Sequence, residues 1–318
     1  MKLKHFAIAF GWSILAPWTL AQTPLKIVTT DQPGGGMDAL IRPVAEKLAV
    51  TLGRPVVVEN KAGAQGRIGG QAVVNSAPDG NTVLITVQAG IVINPHVYAW
   101  PYNSLTDLAP ITDLGRGSLI LVAPSAIPVN NFKELETWLK KQPNGKVNYG
   151  TYSPGTLSHF GGLLLSQDLG IEMTAVHYKA SGDLMKDLVP GVVNMGWTSP
   201  AGPIAQLVKS GRLKAFAYMG PKRLPVFADI PTIRELGHPS VEADGWIGIF
   251  APKGTSPDVI NKLQQSFSKV LALPEIRAMY LNFGFEPGGT ASPEFAKLVE
   301  SDWQRYGDYV KKINYKVE

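Results

Sequence analysis

Residues 25–30 are β-rich, Gln32-Pro33-Gly34-Gly35-Gly36 breaks the run, and residues 38–52 then carry apolar side chains at helical spacing. Strand, glycine turn and helix in that order make one unit of an α/β fold. The unit recurs. Gly53 closes the first helix, 55–58 form the next strand, 63–70 are again glycine-rich, and 70–76 read as a short helix before a strand at 82–87. From Leu119-Ile120-Leu121-Val122 the alternation restarts, with helices at 132–141, 156–169, 183–189 and 204–210 and strands at 147–149, 174–176, 192–196 and 213–218. Such alternation specifies an α/β fold with largely parallel sheets. Pro43, inside the first helical pattern, is expected to bend that helix or shift its start.

Residues 245–250 look like a strand returning to the first set, and two amphipathic helices follow. One spans 257–271 after the cap Ser256, the other 293–310 with Phe295, Leu298, Val299, Trp303, Tyr306 and Val310 on one stripe. This order predicts a discontinuous first lobe, 22–121 plus 241–318, with a second lobe, 122–240, inserted between. A cleft between the lobes is the expected site.

The first 21 residues read as a secretory leader. Lys2 and Lys4 precede an apolar stretch from Phe6 to Leu15, Pro17 interrupts any spanning helix, and the expected cut follows Ala21. The remainder is then expected in the periplasm of a double-membraned bacterium. Loss of Lys2 and Lys4 takes the formal charge from +5 to +3, too slight for a nucleic-acid footprint. The chain has no cysteine, which excludes disulfides, thiolate metal sites and Cys nucleophiles together.

Ligands of open α/β sheets bind beyond the carboxyl ends of strands. Four turns there are rich in glycine or hydroxyl groups: 32–38, 63–70, 151–158 and 180–183. Each precedes a helix whose N–H groups and positive dipole end attract anions, so a carboxylate or phosphate ligand is expected. Gly34-Gly35-Gly36-Met37-Asp38-Ala39 also fits the dinucleotide pattern G-x-G-x-x-A with Glu59 about 20 residues on. Pro33 before the first glycine and the expected export both weigh against a NAD-dependent oxidoreductase. Ser153 is no nucleophile, because Pro154 has no N–H for an oxyanion hole. His96, His159, His177 and His238 lack metal-ligand spacing, and Asp38 is better placed as a helix N-cap than as half of an acid/base pair with Asp31. No catalytic constellation, metal site or cofactor is expected. Trp197, at the end of a second-lobe strand, would offer a flat apolar wall if it faced the cleft, and a core position is the other reading.

The runs Gln32-Pro33-Gly34-Gly35-Gly36-Met37-Asp38, Val57-Val58-Glu59-Asn60-Lys61-Ala62-Gly63-Ala64 and Ala77-Pro78-Asp79-Gly80-Asn81-Thr82 resemble the Bug family. Those proteins are the extracytoplasmic receptors of tripartite tricarboxylate transporters. Asn94-Pro95, Pro101-Tyr102, His177-Tyr178-Lys179, Lys209-Ser210-Gly211-Arg212-Leu213 and Asp229-Ile230-Pro231-Thr232 extend the likeness over nearly the whole chain after the leader. The resemblance implies a two-lobed, type II-like binding protein, monomeric and non-enzymatic, that closes on a small organic carboxylate. It would serve an inner-membrane permease or, alternatively, a membrane sensor kinase. Carried over by position, the implied ligand contacts are Gln32, Gly35, Gly36, Met37, Asp38, Ala64, Gln65 and Gly66 from the first lobe, gripping through main-chain N–H groups. The second lobe would add Thr151, Ser153, Thr156, Ser158, Ser181, Asp183 and Trp197.

Two departures from the family pattern bear on the ligand. Gln65 stands within Ala64-Gln65-Gly66 where relatives commonly have only alanine and glycine. Thr198 follows Trp197 where amino-acid-binding relatives place a carboxylate to pair with an ammonium. A buried ammonium without a counter-charge is costly, so an aromatic or aliphatic carboxylate without an α-amino group is expected.

Overall fold

A computed structural model describes residues 23–152, 154–178, 181–201 and 203–312. The first part of the chain forms β1 (Leu25–Thr29), α1 (Gly36–Leu52), β2 (Val56–Asn60), α2 (Arg67–Val74), β3 (Thr82–Val87), two single-turn helices α3 (Ala89–Val92) and α4 (Asn94–Val97), and β4 (Leu108–Gly117). The middle forms β5 (Ile120–Pro124), α5 (Phe132–Lys141), β6 (Val147–Thr151), α6 (Leu157–Leu169), β7 (Met173–His177), α7 (Ser181–Leu188), β8 (Met195–Thr198), α8 (Pro203–Lys209) and β9 (Leu213–Tyr218). The last part forms β10 (Gly245–Pro252), α9 (Pro257–Leu271), α10 (Pro274–Asn282), β11 (Phe285–Pro287) and α11 (Ser292–Lys312). No helix among the described residues is long and apolar enough to cross a membrane.

Two sheets result. The first has the order β11-β4-β10-β3-β1-β2, the second β7-β6-β8-β5-β9. Both are mixed rather than largely parallel. The parallel pairings are the expected βαβ ones, β1 with β2 and β3, and β6 with β7 and β8. The antiparallel ones are β10 against β3 and β4 and β5 against β8 and β9, made by strands next to the crossings between the sheets, together with β11 against β4.

Period-two alternation then buries both faces of each sheet. Ile27, Val83, Ile85, Ile247 and Ile249 face α1, α9 and α10, whereas Val28, Leu84, Trp246 and Phe250 face α11 and the short helices. In the second sheet Leu121, Met195 and Trp197 share a core with α5 and α6, and Ile120 and Val122 pack with α7 and α8 on the other face. Because β5 starts at Ile120, the chain leaves the first sheet at 117–119, slightly before the expected boundary. It returns at 244–245, since Val241 and Ala243 still pack in the second core.

Ser256 caps α9 as expected, its hydroxyl accepting from Val259 N–H, with Pro257 at the first helical position. Pro43 does not shift the start of α1, which runs on either side of it. The strand β4, with Pro110, Asp113 and two glycines, has poor intrinsic β character and is held by its ladder to β10, including two register shifts.

In the second lobe α6 lies so close to its sheet that glycines are needed on its inner face. A methyl group at Gly161 would stand 2.8 Å from the Trp197 indole. Gly161→Ala is therefore expected to destabilise the protein by about 1–3 kcal/mol through overpacking, measured by urea unfolding; an unchanged midpoint would contradict this packing.

Candidate ligand-binding cleft

The first glycine turn is occupied by the chain itself. Asp31 Oδ2 accepts from the N–H groups of Met37 (2.9 Å) and Asp38 (3.2 Å), and its Oδ1 accepts from Gln32 N–H (2.9 Å). Asp31 thus neutralises the positive end of α1. Gly35, the N-cap, is a glycine of necessity, because any Cβ there would collide with the Asp31 carboxylate. Its own N–H donates to Gln32 O, and Gly34 N–H donates to Asp38 Oδ2. The expected main-chain grip by Gln32, Gly35, Met37 and Asp38 therefore meets amides already committed within the loop, Gly36 excepted. The same filling leaves a dinucleotide pyrophosphate no helix N-terminus to sit on, and Glu59 is paired with Lys26 and Lys61.

Asp38 is not the N-cap. It lies inside the first turn of α1, 3% exposed, where it accepts from Arg42 (2.8 Å), Asn60 (2.8 Å) and Gly34. The Arg42 guanidinium, with Gly34 and Asn60, holds its carboxyl down at about 2 against the opposing effect of burial. Its role is to tie α1 to the end of β2.

The second turn is strained. Ala64 (φ 47°) and Gln65 (φ 54°) both adopt the left-handed conformation ahead of Gly66 (φ 94°). Neighbours hold it there: Arg67 Nε donates to Ala64 O (3.1 Å) and Asn94 Nδ2 to Gln65 O (3.3 Å). Asn94 also faces the third turn, its Oδ1 standing 2.7 Å from where a Cβ of Gly155 would be. The second and third turns thus approach one another across the cleft.

The third turn assembles the hydroxyl groups that the sequence singled out. Ser158 Oγ lies 3.1 Å from both Thr151 Oγ1 and Thr156 Oγ1 and accepts from Tyr152 N–H at 3.0 Å. Thr156 is the N-cap of α6. Beside it, the Gly155 N–H donates to His159 Nδ1 (3.2 Å), which requires the neutral ring. Burial, with the adjacent His177, pushes His159 down to about 4. Ser153 lies outside the described residues.

Between the lobes is a cavity of about 220 Å³. The third turn supplies Tyr152, Thr156, Leu157 and Ser158, the end of β3 supplies Val87 and Gln88, and the two crossings supply 117–119 and 245–247. Pro200 and Phe285 complete an apolar wall. Among the described residues, none that lines the cavity is Asp, Glu, Lys or Arg. The positive end of α6 and the Ser/Thr hydroxyls are the groups suited to a carboxylate, and the rest suits hydrocarbon.

A profile of the tripartite tricarboxylate transporter family receptor matches residues 40–315. The chain belongs to this family. Among solved structures it resembles the periplasmic binding protein BugD, with 31% identity and a TM-score of 0.78 over 92% of this chain and 99% of that one. It also resembles an adipate-bound R. palustris protein (27%, 0.81, 93% and 99%) and malate-bound MatC from Rhodopseudomonas palustris (26%, 0.77, 91% and 99%). The two-lobed binding-protein fold is thereby shown for this receptor.

The structure places two of the expected contacts away from this cavity. Trp197 is fully buried in the second core and does not line the cavity, because it shares the inward face of β8 with Met195. Asp183 is exposed on α7, paired with Lys186 at 2.9 Å, and is not among the lining residues. Ser181 begins α7. Tyr152 and Gln88 line the cavity without having been singled out. The carboxyl-end rule, applied to β3 and to the last residue of the third strand-end rather than to glycines and hydroxyls alone, points to both.

Two measurements test this geometry. Asp31→Ala removes the cap of α1 and is expected to cost about 0.5–2 kcal/mol in urea unfolding, with no loss if the N-terminus of α1 has no need of it. For His159, the unfolded chain takes up its proton near 6.5 and the folded chain only near 4, so its stabilisation is complete above pH 6.5 and declines as pH falls toward 4. His159→Gln is expected to flatten the melting-temperature profile across that window; an unaltered slope would count against a buried neutral ring.

Proposed function

We propose that this receptor captures a small organic carboxylate without an α-amino group, aromatic or aliphatic, in the periplasm and delivers it to a tripartite tricarboxylate-type permease of the inner membrane. The observation that carries the reading is an uncharged, largely apolar cavity with a hydroxyl cluster and one helix N-terminus at its edge. A carboxylate there is held by hydroxyl and N–H donors rather than by a cation, and the skeleton behind it meets Leu157, Pro200, Trp246 and Phe285. The relatives solved with adipate and malate bind acids of this class.

Position 198 supports the absence of an ammonium. Thr198 is fully buried beside the Tyr152 hydroxyl, which itself accepts from Ser199 N–H at 3.1 Å. Among the described residues no carboxylate lines the cavity to balance a buried positive charge. Lobe closure would complete the ligand's hydrogen bonds from both sides, so selectivity belongs to the closed state. The leader-like first 21 residues and the family together support export.

A thermal-shift screen of mono- and dicarboxylates tests this. At a concentration about 100-fold above Kd, an accepted acid stabilises the protein by about 2.7 kcal/mol, a rise of several degrees, while its amide or ester does not. Succinate and glutarate are expected to outbind aspartate and glutamate. Tightest binding by an amino acid, or equal stabilisation by acid and amide, would overturn the reading.

A further inference from the structure

Gln88 follows β3 directly and lies at the floor of the cavity, 3% exposed. Its orientation is fixed twice. The main-chain N–H donates to Trp246 O at 2.8 Å, and the side-chain Nε2 donates to Asp302 Oδ2 at 2.6 Å. Asp302, on α11 and 4% exposed, accepts from Trp246 Nε1 (2.9 Å) through the same oxygen and from Arg305 (2.9 Å) through the other. A carboxylate held in this way only accepts, so the Gln88 amide must turn its NH₂ toward Asp302 and its carbonyl away.

That carbonyl, Oε1, has no partner among the described residues. Gly245 lies in front of it, and a Cβ there would stand in contact, 3.8 Å from Gln88 Oε1 and 3.5 Å from Leu157 Cδ2. A nearly buried acceptor therefore faces an unfilled part of an apolar cavity. An acceptor so placed penalises any ligand that leaves it unpaired, and it repels a second carboxylate at that end.

We propose that Gln88 is a specificity-determining residue that requires a hydroxyl on the ligand, so that the receptor selects hydroxy-carboxylates over the matching deoxy acids. Asp302 is the positioning residue that sets which face of the amide the ligand meets. The inference rests on the carboxylate-receptor reading and deepens it: the acid group goes to the third turn and α6, the hydroxyl to the end of β3. A hydroxyl suits the position better than an ammonium because it donates without bringing a charge that the cavity cannot balance.

The test is calorimetric titration of the purified protein with matched pairs: malate and succinate, 2-hydroxyglutarate and glutarate, and 3- or 4-hydroxybenzoate and benzoate. In the wild type at least one hydroxy acid is expected to bind about tenfold more tightly than its deoxy partner. Gln88→Met, which keeps the length but removes the acceptor, is expected to shrink that ratio to about twofold or less, because the deoxy acid no longer leaves a buried acceptor unpaired. In Asp302→Asn the side-chain oxygen stays with the Trp246 Nε1 and Gln88 Nε2 donors and the new NH₂ turns to the half-exposed Arg305, so the Gln88 amide keeps its orientation. That variant is expected to keep the hydroxyl preference, whereas Asp302→Leu, which removes the acceptor that orients the amide, is expected to lose it; loss in both, or in neither, overturns the positioning role.

The wild-type comparison decides even if a variant fails to fold. Deoxy acids binding as tightly as their hydroxy partners overturn this inference alone, as does a hydroxyl preference that survives in Gln88→Met. Failure of every carboxylate to bind overturns the receptor reading and this inference with it.

Discussion

The structure depends on β10 being a full member of the first sheet rather than a linker. Every residue from Trp246 to Pro252 is buried, and the strand pairs antiparallel with β3 on one side and β4 on the other. Alternate side chains feed the two cores, Ile247, Ile249 and Ala251 to one and Trp246 and Phe250 to the other. The ladder ends with Gly245 opposite Gly117, so both crossings leave the sheet at the same level. That shared exit sets the floor of the cleft, and it places Trp246 where its carbonyl and indole can fix Gln88 and Asp302.

Charge is kept one layer behind the cavity. Asp31 is spent on the end of α1, Asp38 on Arg42 and Asn60, and Asp302 on Arg305, Trp246 and Gln88. Each of these carboxylates meets donors inside the protein, and the described residues that line the cavity include none of the three. Neutral donors suffice to hold one acid group, and a neutral wall accommodates hydrocarbon without desolvating a charge.

What the sequence made legible follows from periodicity. The helices at 132–141 and 257–271 and the strands at 82–87 and 213–218 end where expected because apolar spacing, caps and glycines agree there. The strand β4 was not legible, since its residues disfavour a strand and its partner, β10, lies far away in sequence. The single-turn helices α3 and α4 are too short to show a period. At the site, composition located the hydroxyl turn, and Thr151, Thr156 and Ser158 do come together. It misplaced Trp197 because the end of a strand does not say which face a residue takes; that is a question of parity, and Met195 and Trp197 share the inner one. It also chose the wrong capping carboxylate. Asp31 and Asp38 flank the same turn, and only the path of the loop through Gly34, at φ 77°, decides which reaches the free N–H groups.

Both walls of the cleft lean on α11. From behind the first lobe its Asp302 orients Gln88, and further along Tyr306 and Tyr309 pack edgewise or tilted on Phe160, with ring centroids 5.9 and 5.4 Å away. Phe160 belongs to α6, two residues beyond Ser158, yet it is fully buried in a first-lobe core. Drawing α6 away from α11 would expose that ring at a cost of about 1.5–3 kcal/mol. The lobes are therefore pinned to one another on this side, where α6 and α11 share a core.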